Sequence, residues 1–376
     1  MSEQVNTGSL QDHFEDLTDP RRREGTYPLI NIVTIAICAV ICGADDFVSI
    51  AAFGRAKKSF FERFLELSAG IPSHDRFNAI FAALKPEEFE KCLLAWITSL
   101  HEVTKGQVIA IDGKTLRSSY DKASSKSAIH MVSAWATLNH ISLGQTVVDK
   151  KSNEITAIPK LLELIDVSGS LVTMDAMGCQ TKIAQKIVDG GGDYVLAVKS
   201  NQKSLYNSIR RFFEEQMRDD FANVTVRRAG GRERGHGRDE TRCYYVCKLP
   251  DAIVDAKRWP ELKAIGMAVN ETIQNGKTTR EVRYYILSKY LTAKRFGGAV
   301  RCHWGIENSL HWQLDVTFGE DQCRLRQGHS DANFSSLRRL ALSLLKNNTT
   351  QKLGIKNKRL NAGWDDTYLA QLLCSQ

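Results

Sequence analysis

QVIAID (Gln107–Asp112) and SLVTMD (Ser170–Asp175) are two short apolar runs that each end in an aspartate. Their reading decides the fold. Both read as strands too short and too apolar to be exposed. Between them lie SAIHMVSAWATL and ISLGQTVVD, two β-rich runs parted by a turn at Asn139–His140, and then ITAIPKLLELID, which reads as a helix. After Asp175 comes TKIAQKIVDGGG, a helix stopped by glycines, and then the strand DYVLAVK. The series β-β-β-α-β-α-β fits a mixed α/β sheet covered by helices. A carboxylate at the C-terminal end of such a strand points into the crevice where α/β sheets place their sites. Two such carboxylates on neighbouring strands repel each other unless a cation or a proton sits between them, and a hard divalent cation is a natural partner. The plainer reading is that each aspartate caps the turn that follows it.

Outward from this core the texture changes on both sides. The first hundred residues read as helices: LINIVTIAICAVICG (Leu29–Gly43), IAAFGRAKKSFFERFLEL, GIPSHDRFNAIFAAL with Ser73 or Asp75 as cap, and PEEFEKCLLAWITSL. Two readings stand for them, a helix-turn-helix DNA reader or a helical domain packed on the core. Ser204–Leu291 reads as a β-rich insertion. It opens on the polar helix RRFFEEQMRDDF and passes through RRAGGRERGHGRDETRCYYVCKL, loop-like and then strand-like. A hairpin with Asn275–Gly276 at its turn follows. The last stretch returns to helix. The expected domains are 1–104, helical; 105–203, the first part of the core; 204–291, the insertion; and 292–376, completion of the core.

The helical segment HWGIENSLHWQLD (His303–Asp315) supplies a third acid. Glu307 has His303 and His311 four residues to either side, so all three share one helical face. A glutamate on an otherwise aromatic and apolar face is costly unless something pairs with it. A metal shared with the two aspartates satisfies it, and so does a pair with Arg301 or His303. Zinc held by His303 and His311 with Cys302 or Cys323 is a further alternative, although the spacing matches no common zinc motif.

Composition sets the frame. The chain has 376 residues, 51 Lys+Arg against 43 Asp+Glu and a net charge of +8, a balance that suits a polyanionic partner. Nine cysteines without a C-x-x-C pair indicate neither a disulfide framework nor a zinc ribbon. The longest apolar run is shorter than the ~20 residues a bilayer needs, and polar residues follow Met1. A cytoplasmic protein without a membrane span is expected.

The blocks IAIDGKTLR (Ile109–Arg117), KSNEITAIPKLL (Lys151–Leu162), TMDAMGCQ (Thr173–Gln180), GGDYVLAVKSNQ (Gly191–Gln202) and HWGIENSLHWQLDV (His303–Val316) resemble the H-repeat-associated transposases of bacterial insertion sequences, the ISAs group. TYPLINIVTIAICAVICGADDF and GIPSHDRF resemble the helical domain associated with that family. The likeness runs from about Leu10 to the final LAQLL, with five blocks in the correct order. It implies an RNase H-like fold with a DDE triad, which falls on Asp112, Asp175 and Glu307, holding two Mg2+ or Mn2+ ions. It further implies cleavage at the element's ends and strand transfer into target DNA, with double-stranded DNA as partner and a homodimer in the DNA complex. The sequence departs from the Y-x2-R-x3-E-x6-K signature of related elements, because Val300, His303 and Leu314 stand at the Tyr, Arg and Lys positions. Arg301 and His303 remain to cover part of those phosphate-handling roles. Other basic residues near the motifs are candidate phosphate contacts: Lys114, Arg117, Lys199, Arg324 and Arg326, and, in a flexible cationic loop, Arg232, Arg234 and Arg238. A nuclease of the same core that does not join strands, and an inactive DNA-binding relic, are the competing functions.

Overall fold

The apolar run at Leu29 folds as a buried helix of 13 residues, and no helix among the described residues is long and apolar enough to cross a membrane. The computed structural model describes residues 8–22, 25–101, 106–120, 127–148, 153–235 and 237–374. Helices α1 (Gly8–Phe14), α2 (Leu29–Ile41), α3 (Phe47–Ala56), α4 (Lys58–Phe61), α5 (His74–Ala83) and α6 (Pro86–Leu100) come first. Then follow β1 (Val108–Thr115), β2 (His130–Ala136), β3 (Ile141–Val148), α7 (Glu154–Leu164), β4 (Leu171–Met174), α8 (Thr181–Asp189), β5 (Asp193–Val198) and α9 (Lys203–Arg218). The strands β6 (Val226–Gly235), β7 (Arg238–Lys248), β8 (Ala264–Gln274) and β9 (Lys277–Leu287) lead to α10 (Ala293–Ile306). A π turn at Glu307–His311 separates α10 from α11 (Trp312–Val316), and α12 (Ser330–Asn347), α13 (Ile355–Trp364) and α14 (Asp366–Leu373) close the chain. Two compact units result, one of Met1–Thr104, Gly113–Lys151 and Glu307–Gln376, the other of Lys105–Asp112 and Ser152–Ile306.

The first unit is built on α12, which is buried from Ser330 to Leu345 and packs against α2, α5, α6 and β3. Phe47, Phe81, Phe89 and Phe334 interlock in the core beside it at ring separations of 5.6–5.7 Å. Ser73, one of the two expected caps, accepts the Arg76 N–H and starts α5, while Asp46 and Ser49 form a reciprocal capping box on α3. The β2–β3 hairpin turns at His140, which sits at φ 53. Strand order here is β3-β2-β1, with the end of β1 tied to β2 through Thr115 Oγ1 and His130 Nδ1 at 2.8 Å.

The second unit orders its strands β1-β4-β5-β9-β8-β7-β6. The strands β1, β4 and β5 are parallel, β9 runs antiparallel to β5, and β6 to β9 form an antiparallel meander. Asn275 and Gly276, at φ 50 and φ 73, make the type I′ turn that their sequence signals. Helix α10 packs on β4 to β8, with Phe296 wedged between Tyr244 and Tyr285. Parallel β1, β4 and β5 with antiparallel β9, and α8 as the crossover between β4 and β5, form a mixed sheet of the kind that the resemblance implies.

One expectation fails here. The arginine-rich stretch is no loop: Val226–Gly235 is strand β6, paired with β7 residue for residue from Val226–Cys247 to Gly235–Arg238.

Candidate active site

Parallel pairing aligns Ala110 with Thr173 and Ile111 with Met174. The residues that follow directly are Asp112 and Asp175, so two half-buried aspartates occupy the ends of neighbouring parallel strands. The Asp175 Oδ1 accepts the N–H groups of Met177 at 2.9 Å and Gly178 at 3.3 Å, which curls the loop between β4 and α8 around it. That loop is braced from outside: Asn201 donates to the Ala176 carbonyl at 2.6 Å and Gln202 to the Cys179 carbonyl at 3.0 Å. The KSNQ that closes β5 therefore has a definite task, which is to fix the backbone that carries Asp175. Burial, and then the negative charge of Asp175, push the Cys179 thiol well above its usual pKa, so this cysteine is an inert packing group.

Helix α10 leads to Glu307, the third acid singled out in the sequence. His303 is 5% exposed and lies 3.4 Å from the Thr173 hydroxyl on β4, two residues before Asp175. Glu307 begins the π turn one helical turn further on. The structure departs from the regular helix expected over this segment. Although His303 and His311 are both buried, the Glu307 side chain is 59% exposed and reaches the His311 Nδ1 at 3.4 Å. Burial lowers the His311 pKa to about 4, against the opposing pull of Glu307, so its ring is neutral at pH 7.

In the first unit, Lys114 links the end of β1 to the segment after Glu307. Its ammonium bonds Asp315 on α11 and lies 2.9 Å from Glu320, which itself bonds Arg339 on α12 at 3.0 Å. Glu320 and Arg339 are each 1% exposed. Burial alone would raise the Glu320 pKa, but Arg339 and Lys114 overcome it and hold the carboxyl at about 2. These residues escape a reading of the sequence, because nothing in VTFGEDQC marks Glu320 as the partner of a lysine 206 positions away.

The expected phosphate contacts divide into those already engaged within the chain and those that lie exposed. Lys114 is spent on Asp315 and Glu320, with only 9% of its side chain exposed. His303 is buried in the helix packing. Arg232 and Arg234 pair with Asp239, and Arg301 pairs with Glu233. Arg326 donates to the Ser118 carbonyl. Lys199, Arg238 and Arg324 lie exposed, as does Arg117, which stands 3.4 Å from Asp321.

Two family profiles match the chain: DDE_Tnp_1-associated over residues 11–97, and Transposase DDE domain over residues 104–344. The H repeat-associated protein YhhI of Escherichia coli strain K12 is 40% identical over 372 residues, covering 97% of each chain. YbfL of the same strain is 40% identical over 371 residues, again 97% of each chain. YncI of Escherichia coli O157:H7 is 39% identical over 98% of this chain and 95% of its own. A solved piggyBac transposase synaptic complex with hairpin DNA is 11% identical, covers 99% of this chain and 79% of that one, and at a TM-score of 0.42 is too remote to bear on fold or function. With more than half its length matched by the DDE profile, and with relatives of this identity along its whole length, the chain belongs to the DDE transposase family.

Proposed function

We propose that Asp112, Asp175 and Glu307 form the acidic triad of a metal-dependent DNA transposase that cuts the ends of an insertion sequence and joins them to target DNA. The observation that supports this reading is the β1–β4 register, by which Asp112 and Asp175 follow the paired residues Ile111 and Met174 at the ends of neighbouring parallel strands. Two ties support the place of Glu307. Its helix is anchored on β4 through His303 and Thr173, and the segment after it is bonded to Lys114, two residues beyond Asp112.

The donor set fits the expected cations. Three carboxylates offer only oxygen, which suits Mg2+ or Mn2+ and does not select zinc. Asp112, Asp175 and Glu307 would hold two such ions, which when bound would supply charge stabilisation for a displacement at phosphorus. What the chain itself supplies is position. The braced loop fixes Asp175, the β1 strand fixes Asp112, and the π turn turns Glu307 outward to solvent. Water first breaks one phosphodiester and frees a 3′-OH. That hydroxyl then attacks a target phosphodiester, so one P–O bond forms as another breaks and no outside energy source is needed. In this reading the exposed cations Arg117, Lys199, Arg238 and Arg324 hold DNA phosphates. A homodimer pairs the two element ends, and the protein works in the cytoplasm.

The test is a strand-transfer assay with precut element-end DNA and Mg2+. Asp112→Asn, Asp175→Asn and Glu307→Gln should each lower joint-molecule formation by more than about a hundredfold, since loss of a metal's outer partners alone costs 10–100-fold. DNA binding should persist in all three. Joining at near wild-type rate by any of them would remove that residue from the triad.

A further inference from the structure

A cleft of about 300 Å3 opens between β6, β7 and the start of α10, lined among others by Gly231, Glu233, Arg242, Lys294, Gly298 and Arg301. Three of these are cations. The one carboxylate among them, Glu233, sits between two guanidinium groups: its Oε1 takes Arg301 at 2.7 Å and its Oε2 takes Arg242 at 2.7 Å. Two oxygens, each held by its own guanidinium, is also how the two non-bridging oxygens of a phosphodiester are gripped. Glu233 is half exposed on its strand, so its hold on the arginines is that of a surface ion pair and is readily exchanged.

Arg242 is bonded to Glu240 as well, so the cationic surplus of the cleft rests on Arg301, Lys294 and the start of α10. The first turn of α10 has no acidic residue and carries Lys294 and Arg295 at the positive end of the helix dipole, an arrangement that is unfavourable until an anion approaches. The glycines of the cleft add a second indication. A Cβ on Gly231 or Gly298 would meet nothing within 4 Å, and neither residue has a positive φ. Packing therefore does not require glycine at either place, and glycine inside α10 costs helix stability. Bare backbone there leaves the cleft open to a bulky ligand.

We propose that this cleft is a phosphodiester subsite for DNA which the chain fills with its own Glu233 until a backbone phosphate displaces that carboxylate. The proposal rests on the transposase reading above and adds a self-occupied contact to it. Binding of the full-length protein to a mixed-sequence DNA duplex, followed by fluorescence anisotropy across a salt series, tests both. Glu233→Gln should bind about two- to fivefold tighter, because the internal competitor loses its charge. Arg301→Gln should bind about fivefold more weakly, with a salt slope shallower by about 0.9, the mark of one lost phosphate contact. Gly298→Leu should weaken binding at least about threefold while its melting temperature stays at or above wild type. If the wild type binds DNA and these variants match it, or if Glu233→Gln weakens binding, the subsite is overturned and the transposase reading stands. If the wild type binds no duplex even at low salt, the transposase reading fails and takes the subsite with it.

Discussion

Replacing Glu320 by Gln keeps the shape of the side chain and removes its charge, leaving Lys114 and Arg339 buried without their common partner. Breaking a buried ion pair from one side typically costs about 3–5 kcal/mol, because an uncompensated charge stays in the interior. A second route gives the same size. The Glu320 carboxyl is held at about 2 against an ordinary 4.5. A tenfold change in proton affinity corresponds to about 1.4 kcal/mol, so ionisation of this carboxyl contributes roughly 3 kcal/mol at neutral pH. Because the folded pKa lies below the unfolded one, that stability is present above about pH 4.5. It is lost as pH falls through about 2. At about 2–4 °C per kcal/mol for a unit of this size, Glu320→Gln should melt some 6–20 °C below wild type at pH 7. Thermal and urea melts of both proteins between pH 7 and pH 2 measure this directly, and the gap should close as the medium acidifies. Replacing Glu320, Lys114 and Arg339 together by Leu, Met and Met should recover most of the loss, since well-packed apolar groups stand in for a buried triad at little cost. A Glu320→Gln protein within about 1 kcal/mol of wild type at pH 7 would refute the reasoning, as would a gap that does not change with pH.

Two further outcomes are expected. Converting both Asn201 and Gln202 to Ala removes the braces on the Ala176 and Cys179 carbonyls. Stability should fall by about 2 kcal/mol and strand transfer by roughly 10–100-fold, with duplex binding unchanged by anisotropy; full activity would show that the loop holds Asp175 unaided. Deleting Asn308 takes one residue out of the π turn and should give a regular helix of undiminished melting temperature but with strand transfer lost. An active deletion variant would show that the widened turn is dispensable.

Much of the core was legible because local and global preferences agree there. The runs ending at Asp112 and Asp175 are apolar, short and bounded by turn residues, and they are strands that pair in parallel. The Asn275–Gly276 turn reads straight from its dipeptide. The stretch RRAGGRERG was not legible as strand, since the alternation that marks a strand comes from burying one face. Here most residues are exposed, and the hairpin is held by cross-strand pairs such as Arg232–Asp239 and Arg242–Glu233. The charges of α12 are the opposite case. FSSLRRLALSLLKN carries serines and arginines that ordinarily face water, yet Ser335, Arg338 and Arg339 are as buried as its leucines. Glu320, outside the helix, and Ser335, one turn back within it, give Arg339 the partners that make its burial tolerable.

The turn at Glu307 shows how the same physics shapes the candidate site. In an unbroken α-helix, residues four apart lie almost above one another, so a glutamate between two buried histidines would be buried with them. An isolated carboxylate in that position incurs a large desolvation cost or takes up a proton. Either result would spoil the ligand proposed above, which must be ionised and accessible. The π turn from Glu307 to His311 widens the helix where this conflict arises. His303 keeps its place against Thr173, the following α11 keeps Asp315 on Lys114, and the carboxylate between them comes out to solvent. Insertions of this kind in helices are uncommon and gather at functional sites. Here the irregularity lets a single segment pack on both sides while the carboxylate in its middle stands exposed.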